Sequence, residues 1–330
     1  MITKPTVFVL GAGASMPYGF PSGKDLVEQI CAATLPHVVS SRTGMAKSLE
    51  MNQITKLFHS QFGTNTTEEF GNALYLSQKP SIDTFLEHRK KFIDIGKFAI
   101  ALLILDKEIK DNIISFESRG KGCYQYLFNT LNTSWEGFAT NKVSFITFNY
   151  DRSLEQYMYI SLKNSYGKTD EECSELLSSI PIVHVHGSLG ALRWQRKDGI
   201  QYGQLQYYYA HHSKWLLGFM SLASKQIKVI TEDQAQSEEF QTAVNFLLNA
   251  ERIYFLGFGY NAVNLQRLRL LDVPKVKENL KFKSEIIPLR GTGLNLEDAE
   301  KNSIHDKWGI RILDTSSDCL QFLRKYALLD

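Results

Sequence analysis

The stretch Val7-Phe-Val-Leu-Gly-Ala-Gly-Ala-Ser15 constrains this chain more than any other. Its apolar residues predict a short buried strand, and Gly11 to Ser15 a turn of small residues. Past Pro21 a helix is expected, with Ser22 as its N-cap. Strand, glycine turn and helix together make a phosphate cradle. Gly11 suits a tight turn, Gly13 lets backbone approach a pyrophosphate, and N–H groups at a helix start face the anion. Two-glycine turns also occur with no ligand, so this one needs support from elsewhere in the chain. An ordinary dinucleotide fold adds an Asp or Glu about 20 residues on, at the end of a second strand. Ile30-Cys-Ala-Ala-Thr-Leu-Pro-His37 has neither, which argues against a plain dehydrogenase.

Beyond the turn, Met16 to Gly23 is rich in Gly and Pro and reads as a loop. From about Met45 to Thr133 apolar residues recur at helical spacing. Ile82, Phe85, Leu86 and Ile93 suit one amphipathic helix; Phe98, Leu102, Leu105 and Ile109 suit another. Residues 41–139 therefore read as a helical module inserted between the first two strands of a domain formed by 1–40 and 140–330. Val143–Phe148 predicts a second strand ending in Asn149-Tyr-Asp151, and Ile182–His186 a third, running into Gly187. Ala191 to Tyr209 alternates like a hairpin, with Tyr207, Tyr208, Tyr209, His211 and His212 as an aromatic patch. Short strands are expected at Ile227–Ile230, Arg252–Leu256, Ile286–Leu289 and Ile310–Leu313. Helices are expected at Ser213–Lys225, Ser237–Ala250, from Ala262, and from a Thr315 cap to Leu323.

Apolar strands alternating with turns and helices predict an α/β fold: a Rossmann-like parallel sheet with helices on both faces, plus the inserted helical module. Ligands of such sheets sit at the carboxyl ends of the strands. Ser15, Asn149, Asp151, His186 and the Gly257–Gly259 turn all fall there.

The 330 residues carry 37 basic and 35 acidic side chains, with no basic run, so nothing points to direct nucleic-acid binding. Cys31, Cys123, Cys173 and Cys319 form no CxxC pair. Reduced, buried thiols in a cytoplasmic protein are expected, with no metal site. Met1 to Pro5 is short and polar for a leader, and the lack of about 18 consecutive apolar residues predicts no membrane span.

Taken together, these pieces resemble the sirtuin family. Gly11-Ala12-Gly13-Ala14-Ser15 resembles its first phosphate motif, and Phe20-Pro-Ser-Gly23 the start of its cofactor loop. Thr147-Phe-Asn-Tyr-Asp151 matches Thr-x-Asn-x-Asp, and His186-Gly187 the catalytic His-Gly. Leu256-Gly257-Phe-Gly259-Tyr260 stands in place of the late Gly-Thr-Ser turn. The likeness covers residues 6–23 and 143–323 but not the helical module. Deacetylating sirtuins carry two CxxC pairs around a zinc, a Gln where this chain has Phe148, and an Arg in the cofactor loop. None of these is matched here. Without zinc and with a helical insertion, the chain is similar to the sirtuin-like NAD-cleaving effectors of bacterial anti-phage defence.

That resemblance implies an NAD glycohydrolase yielding nicotinamide and ADP-ribose, with NAD as substrate and no metal. Deacylation, ADP-ribosyl transfer or NAD and ADP-ribose sensing are the alternatives. It also implies a homo-oligomer joined by a partner protein encoded alongside, a HerA-type ATPase being one candidate. Asn149 either holds the nicotinamide ribose and orients water or caps the next helix. His186 is either a general base or an ordinary strand-end imidazole. Asp151 either accepts from the carboxamide or serves the helix dipole. Gly11, Ala12, Gly13, Ser15, Phe20, Gly257 and Gly259 are the expected cofactor contacts, and His184 is read as structural.

Overall fold

The computed structural model describes residues 1–35, 49–114, 120–206, 216–229, 237–282, 285 and 287–329, with backbone only at 49–52. After β1 (Thr6–Leu10) come α1 (Gly23–Thr34), α2 (Leu49–Phe62), α3 (Thr64–Ser77), α4 (Ile82–His88), α5 (Ile93–Asp106), α6 (Lys110–Ile114), α7 (Cys123–Leu131) and α8 (Trp135–Phe138). Then follow β2 (Val143–Thr147), α9 (Ser153–Tyr166), α10 (Asp170–Ser178), β3 (Ile182–His184), α11 (Leu216–Gln226), α12 (Glu238–Leu248) and β4 (Arg252–Leu256). The chain ends with α13 (Ala262–Arg267), α14 (Pro274–Phe282), β5 (Leu289–Gly291), α15 (Asp298–Trp308) and α16 (Cys319–Tyr326).

The five strands form one parallel sheet in the order β3-β2-β1-β4-β5. The chain winds outward from β1 to β3, then returns to β4 on the other side of β1. The strand order therefore reverses between β1 and β4, where Rossmann-like sheets open their ligand crevice. Side chains alternate across β1. Phe8 and Leu10 join the core with Phe145, Tyr254 and the helices between β1 and β2, whereas Val7 and Val9 face α12, α14 and α15 beside Ile253 and Phe255. Both faces are covered, as apolar strands of a parallel sheet require. The inserted helices share one continuous core with the first face.

Ser22 caps α1 as expected, in a reciprocal capping box with Asp25. Two short 3-10 turns, Ala12–Ala14 and Met16–Tyr18, intervene between β1 and that helix, so α1 does not begin at the glycine turn. The expected amphipathic helix at Phe98–Ile109 is corrected: α5 is buried on every side from Phe98 to Leu105, and Ile109 lies beyond its end, 39% exposed. Asp318, not Thr315, caps α16. Ile310–Leu313 makes a single bridge through Arg311, and Ile227 makes a single antiparallel bridge to Gly187; neither 310–313 nor the described residues 227–229 form a strand. Residues 191–206 form turns around a parallel Leu192–Ile200 bridge instead of a hairpin. Tyr207, Tyr208, Tyr209, His211 and His212 lie outside the described residues.

Candidate active site

The register sets the site. Leu10 pairs with Thr147 and Leu256, and Thr147 pairs with His184, so β1, β2, β3 and β4 end at one level. The residues just past them, Gly11, Asn149, His186 and Gly257, share that edge.

Gly11 and Gly13 pack against the β4 turn. A Cβ on Gly11 would stand 2.5 Å from the Gly257 carbonyl oxygen, and one on Gly13 would stand 2.7 Å from Gly257 Cα. Gly257 itself has φ +60°, and a Cβ there would meet Ala14 N at 2.3 Å. The close approach the glycines permit is thus between two turns of the protein. The Gly11 N–H donates to Leu256 O and the Gly13 N–H to Gly257 O, both at 3.0 Å; the Ala14 and Ser15 amides close the 3-10 turn. Thr292 Oγ1 accepts from the Gly257 N–H at 2.8 Å. Beneath the turn, the Cys123 and Cys319 thiols point at the Ala14 and Gly13 carbonyls. Ala12 is half-buried, Phe20 is a core residue, and Gly259 is exposed with open space around it.

Asn149 is buried at the end of β2. Its Nδ2 donates to Gly11 O at 3.0 Å and faces Ser15 Oγ at 3.4 Å, tying β2 to the β1 turn. Its Oδ1 has no hydrogen-bond partner among the described residues. Its own carbonyl accepts from His184 Nδ1 at 3.0 Å, and His184 Nε2 meets Glu155 at 2.6 Å. Burial opposes charge on His184, but Glu155 outweighs it and raises the pKa; the same pairing overrides burial to hold Glu155 below the usual carboxylate range. His184 thereby links Glu155 to the Asn149 backbone.

His186 is 4% exposed, and its Nε2 is buried with no partner among the described residues. Burial depresses its pKa, so the ring is neutral near pH 7. Phe148 meets the ring edge-to-face at 5.2 Å between centroids. Gly187 explains the dipeptide. It has φ +68°, and a Cβ would lie 2.2 Å from Gln226 O, while Lys228 N donates to His186 O at 2.8 Å. The chain after α11 thereby pins the histidine turn.

Asp151 caps the start of α9 through the Ser153 N–H at 3.0 Å and the Ser153 hydroxyl. Burial raises its pKa against the pull of hydroxyls from Ser153 and Ser15. Three further residues that the sequence reading missed gather at His186. Asp83 Oδ1 on α4 lies 3.8 Å from His186 Nδ1 and accepts from the Tyr150 hydroxyl. One helical turn on, Glu87 binds Arg267 of α13 at 3.0 Å. The only cue available was acid and capping chemistry, Ser81 and Asp83, at the start of a short helix.

Two open cavities lie elsewhere. One of about 510 Å³ is lined by Tyr18, Ile113, Phe128, Tyr157 and Asn164. Another, of about 450 Å³, runs beside β3 with His184 and Glu155 in its wall. Neither is lined by Asn149, His186 or Ser15, each of which is less than a tenth exposed. No group of His, Cys, Asp and Glu among the described residues could hold a metal ion, zinc included, and no helix among them is long and apolar enough to cross a membrane.

Fold and site together define a Rossmann-like α/β protein whose strand edge carries a buried amide, a neutral imidazole and a glycine turn. No protein-family model matches this chain, and neither does any curated protein.

Proposed function

We propose that this protein is a sirtuin-like NAD glycohydrolase of the kind that depletes NAD in bacterial anti-phage defence. One observation carries the reading: at the ligand edge of the sheet, the anchored Asn149 amide leaves Oδ1 open as an acceptor while a neutral, buried His186 leaves Nε2 without a partner. Both are acceptors at one strand edge, the pairing needed to hold a ribose hydroxyl and take a proton from an attacking water.

In the reaction, the C1′–N glycosidic bond breaks and its electron pair leaves with nicotinamide. Water adds to C1′, and its proton passes by way of His186 Nε2 to solvent. The products are ADP-ribose, nicotinamide and one proton. Asn149 Oδ1 orients the water or the ribose hydroxyl. The Gly11–Ser15 turn, with Ala12 at its surface and Gly257, Gly259 and Phe20 around it, is the proposed seat of the phosphates.

The test is nicotinamide release from NAD by the purified protein. Asn149→Ala and His186→Ala should each lower it by at least about 100-fold, the lower end of what positioned proton transfer contributes, with circular dichroism unchanged. Full activity in either folded variant would reject the assignment.

A further inference from the structure

The helical insertion does more than cover one face of the sheet: α4 reaches the strand edge and puts a carboxylate beside the imidazole. Asp83 Oδ1 faces His186 Nδ1 at 3.8 Å, longer than a hydrogen bond but within ion-pair range. Tyr150, next to Asn149, donates its hydroxyl to the same oxygen. Phe148 and Tyr150 flank the ring on its other sides. Asp83 and Glu87 are four residues apart and lie on one face of α4. Glu87 is bound to Arg267, the last residue of α13, the helix that follows the β4 turn. The carboxylate is therefore aimed from one end of α4, and the helix is fastened at the other.

Of the two ring nitrogens, the one near the carboxylate is favoured as the N–H, because a carboxylate is an acceptor only. The other, Nε2, is the buried atom without a partner.

We propose that Asp83 is the positioning residue that keeps the His186 proton on Nδ1, so that Nε2 is the base, and that the Glu87–Arg267 pair is the latch holding α4 in place to do so. This rests on His186 being the base of the proposed hydrolysis. The 3.8 Å separation closes to a hydrogen bond when substrate is held, in keeping with the looser catalytic contacts of unliganded enzymes. The site is then complete only while the insertion is docked.

The groups facing His186 are Asp83 and Glu87 from α4, Arg267 from α13 and the Tyr150 hydroxyl. Asp83 and Glu87 raise its pKa and Arg267 lowers it. Removing the Asp83 charge should move the titration of His186 to lower pH.

The experiment is nitrogen-15 NMR of histidine-labelled full-length protein, run beside nicotinamide release over a pH series. The wild type should show His186 protonated on Nδ1. Asp83→Asn should lose that preference, shift the acid limb of kcat to lower pH and cut kcat by tenfold or more with KM little changed. Glu87→Arg and Arg267→Glu should each weaken the same signature, and the double exchange should restore it. An unchanged His186 tautomer and pKa in folded Asp83→Asn would overturn the inference. If Asp83→Asn does not fold, Tyr150→Phe decides. It frees Asp83 Oδ1 for Nδ1, so the His186 pKa should rise, and no change would reject the proposal. The NMR arm needs no turnover. A wild type with the expected tautomer and no nicotinamide release, at any concentration and with its partner added, would reject the NADase reading and leave the positioning role standing.

Discussion

His184 and His186 sit two residues apart, yet their pKa values move in opposite directions. Both are largely shielded from solvent, which penalises the charged ring, but only His184 has a carboxylate at hydrogen-bond distance. The stability consequences follow from the signs. A raised His184 pKa contributes stability that is fully present below the unfolded-state value of about 6.5 and is lost as pH rises through the folded value. A lowered Glu155 pKa contributes stability present above the ordinary carboxylate range and lost as pH falls through the folded value. His186 works against the fold on the acid side, because the unfolded chain takes up a proton there that the native ring resists. Urea midpoints for wild type and His184→Gln should therefore differ most between the Glu155 and His184 titrations and converge as pH climbs past the raised His184 value. A gap that widens with pH would contradict the charged pair.

At the scale of elements, β1, β2 and β4 were readable from sequence because each is a five-residue, largely apolar run ending in a turn. The Ser22 cap was readable from local chemistry alone. α5 misled because periodicity locates a helix face only when a polar face exists, and from Phe98 to Leu105 there is none. Ile310–Leu313 has strand composition but finds a single bridge through Arg311, which no local pattern encodes. Asn149, His186 and the glycines were visible because they follow strands directly. Asp83 was not: it meets Tyr150 across 67 residues of chain, and that contact depends on how α4 docks. The Glu108–Arg152 pair was hidden for the same reason. Glu108 follows α5, Arg152 opens α9, and the two bond in fork geometry at 2.9 and 2.7 Å with almost no exposure. Arg152 also donates to the carbonyls of Gly190, Ala191 and Ile200, clamping the insertion and the loop after β3 to α9. Burial raises the Glu108 pKa in spite of its partner, which marks the desolvation as severe. Glu108→Ala should cost roughly 3–5 kcal/mol by stranding a buried cation, while joint replacement with Leu and Met should cost much less. Denaturant midpoints of the three proteins decide it, and a cost near zero for Glu108→Ala would rule out the clamp.

For the molecule as a whole, the question is what opens the strand edge. Asn149, His186, Asp151 and Ser15 are each less than a tenth exposed. If NAD hydrolysis is the function, the isolated chain must be held off, because an NADase acting without restraint would be toxic to its host. The core motifs run from Val7 to near the end of α16, and the inserted helices share their core. We expect the unassembled chain to be the restrained form, released by contacts between copies or with another protein. Since α4 fastens the site through Glu87 and Arg267, anything that shifts the insertion would change access to His186. The expectation is a homo-oligomer whose turnover per chain rises with assembly and rises again when its partner, an ATPase by the proposed kinship, is added. Light scattering and nicotinamide release measured over the same concentration series test this. A monomer at every concentration with full, constant turnover per chain would defeat it.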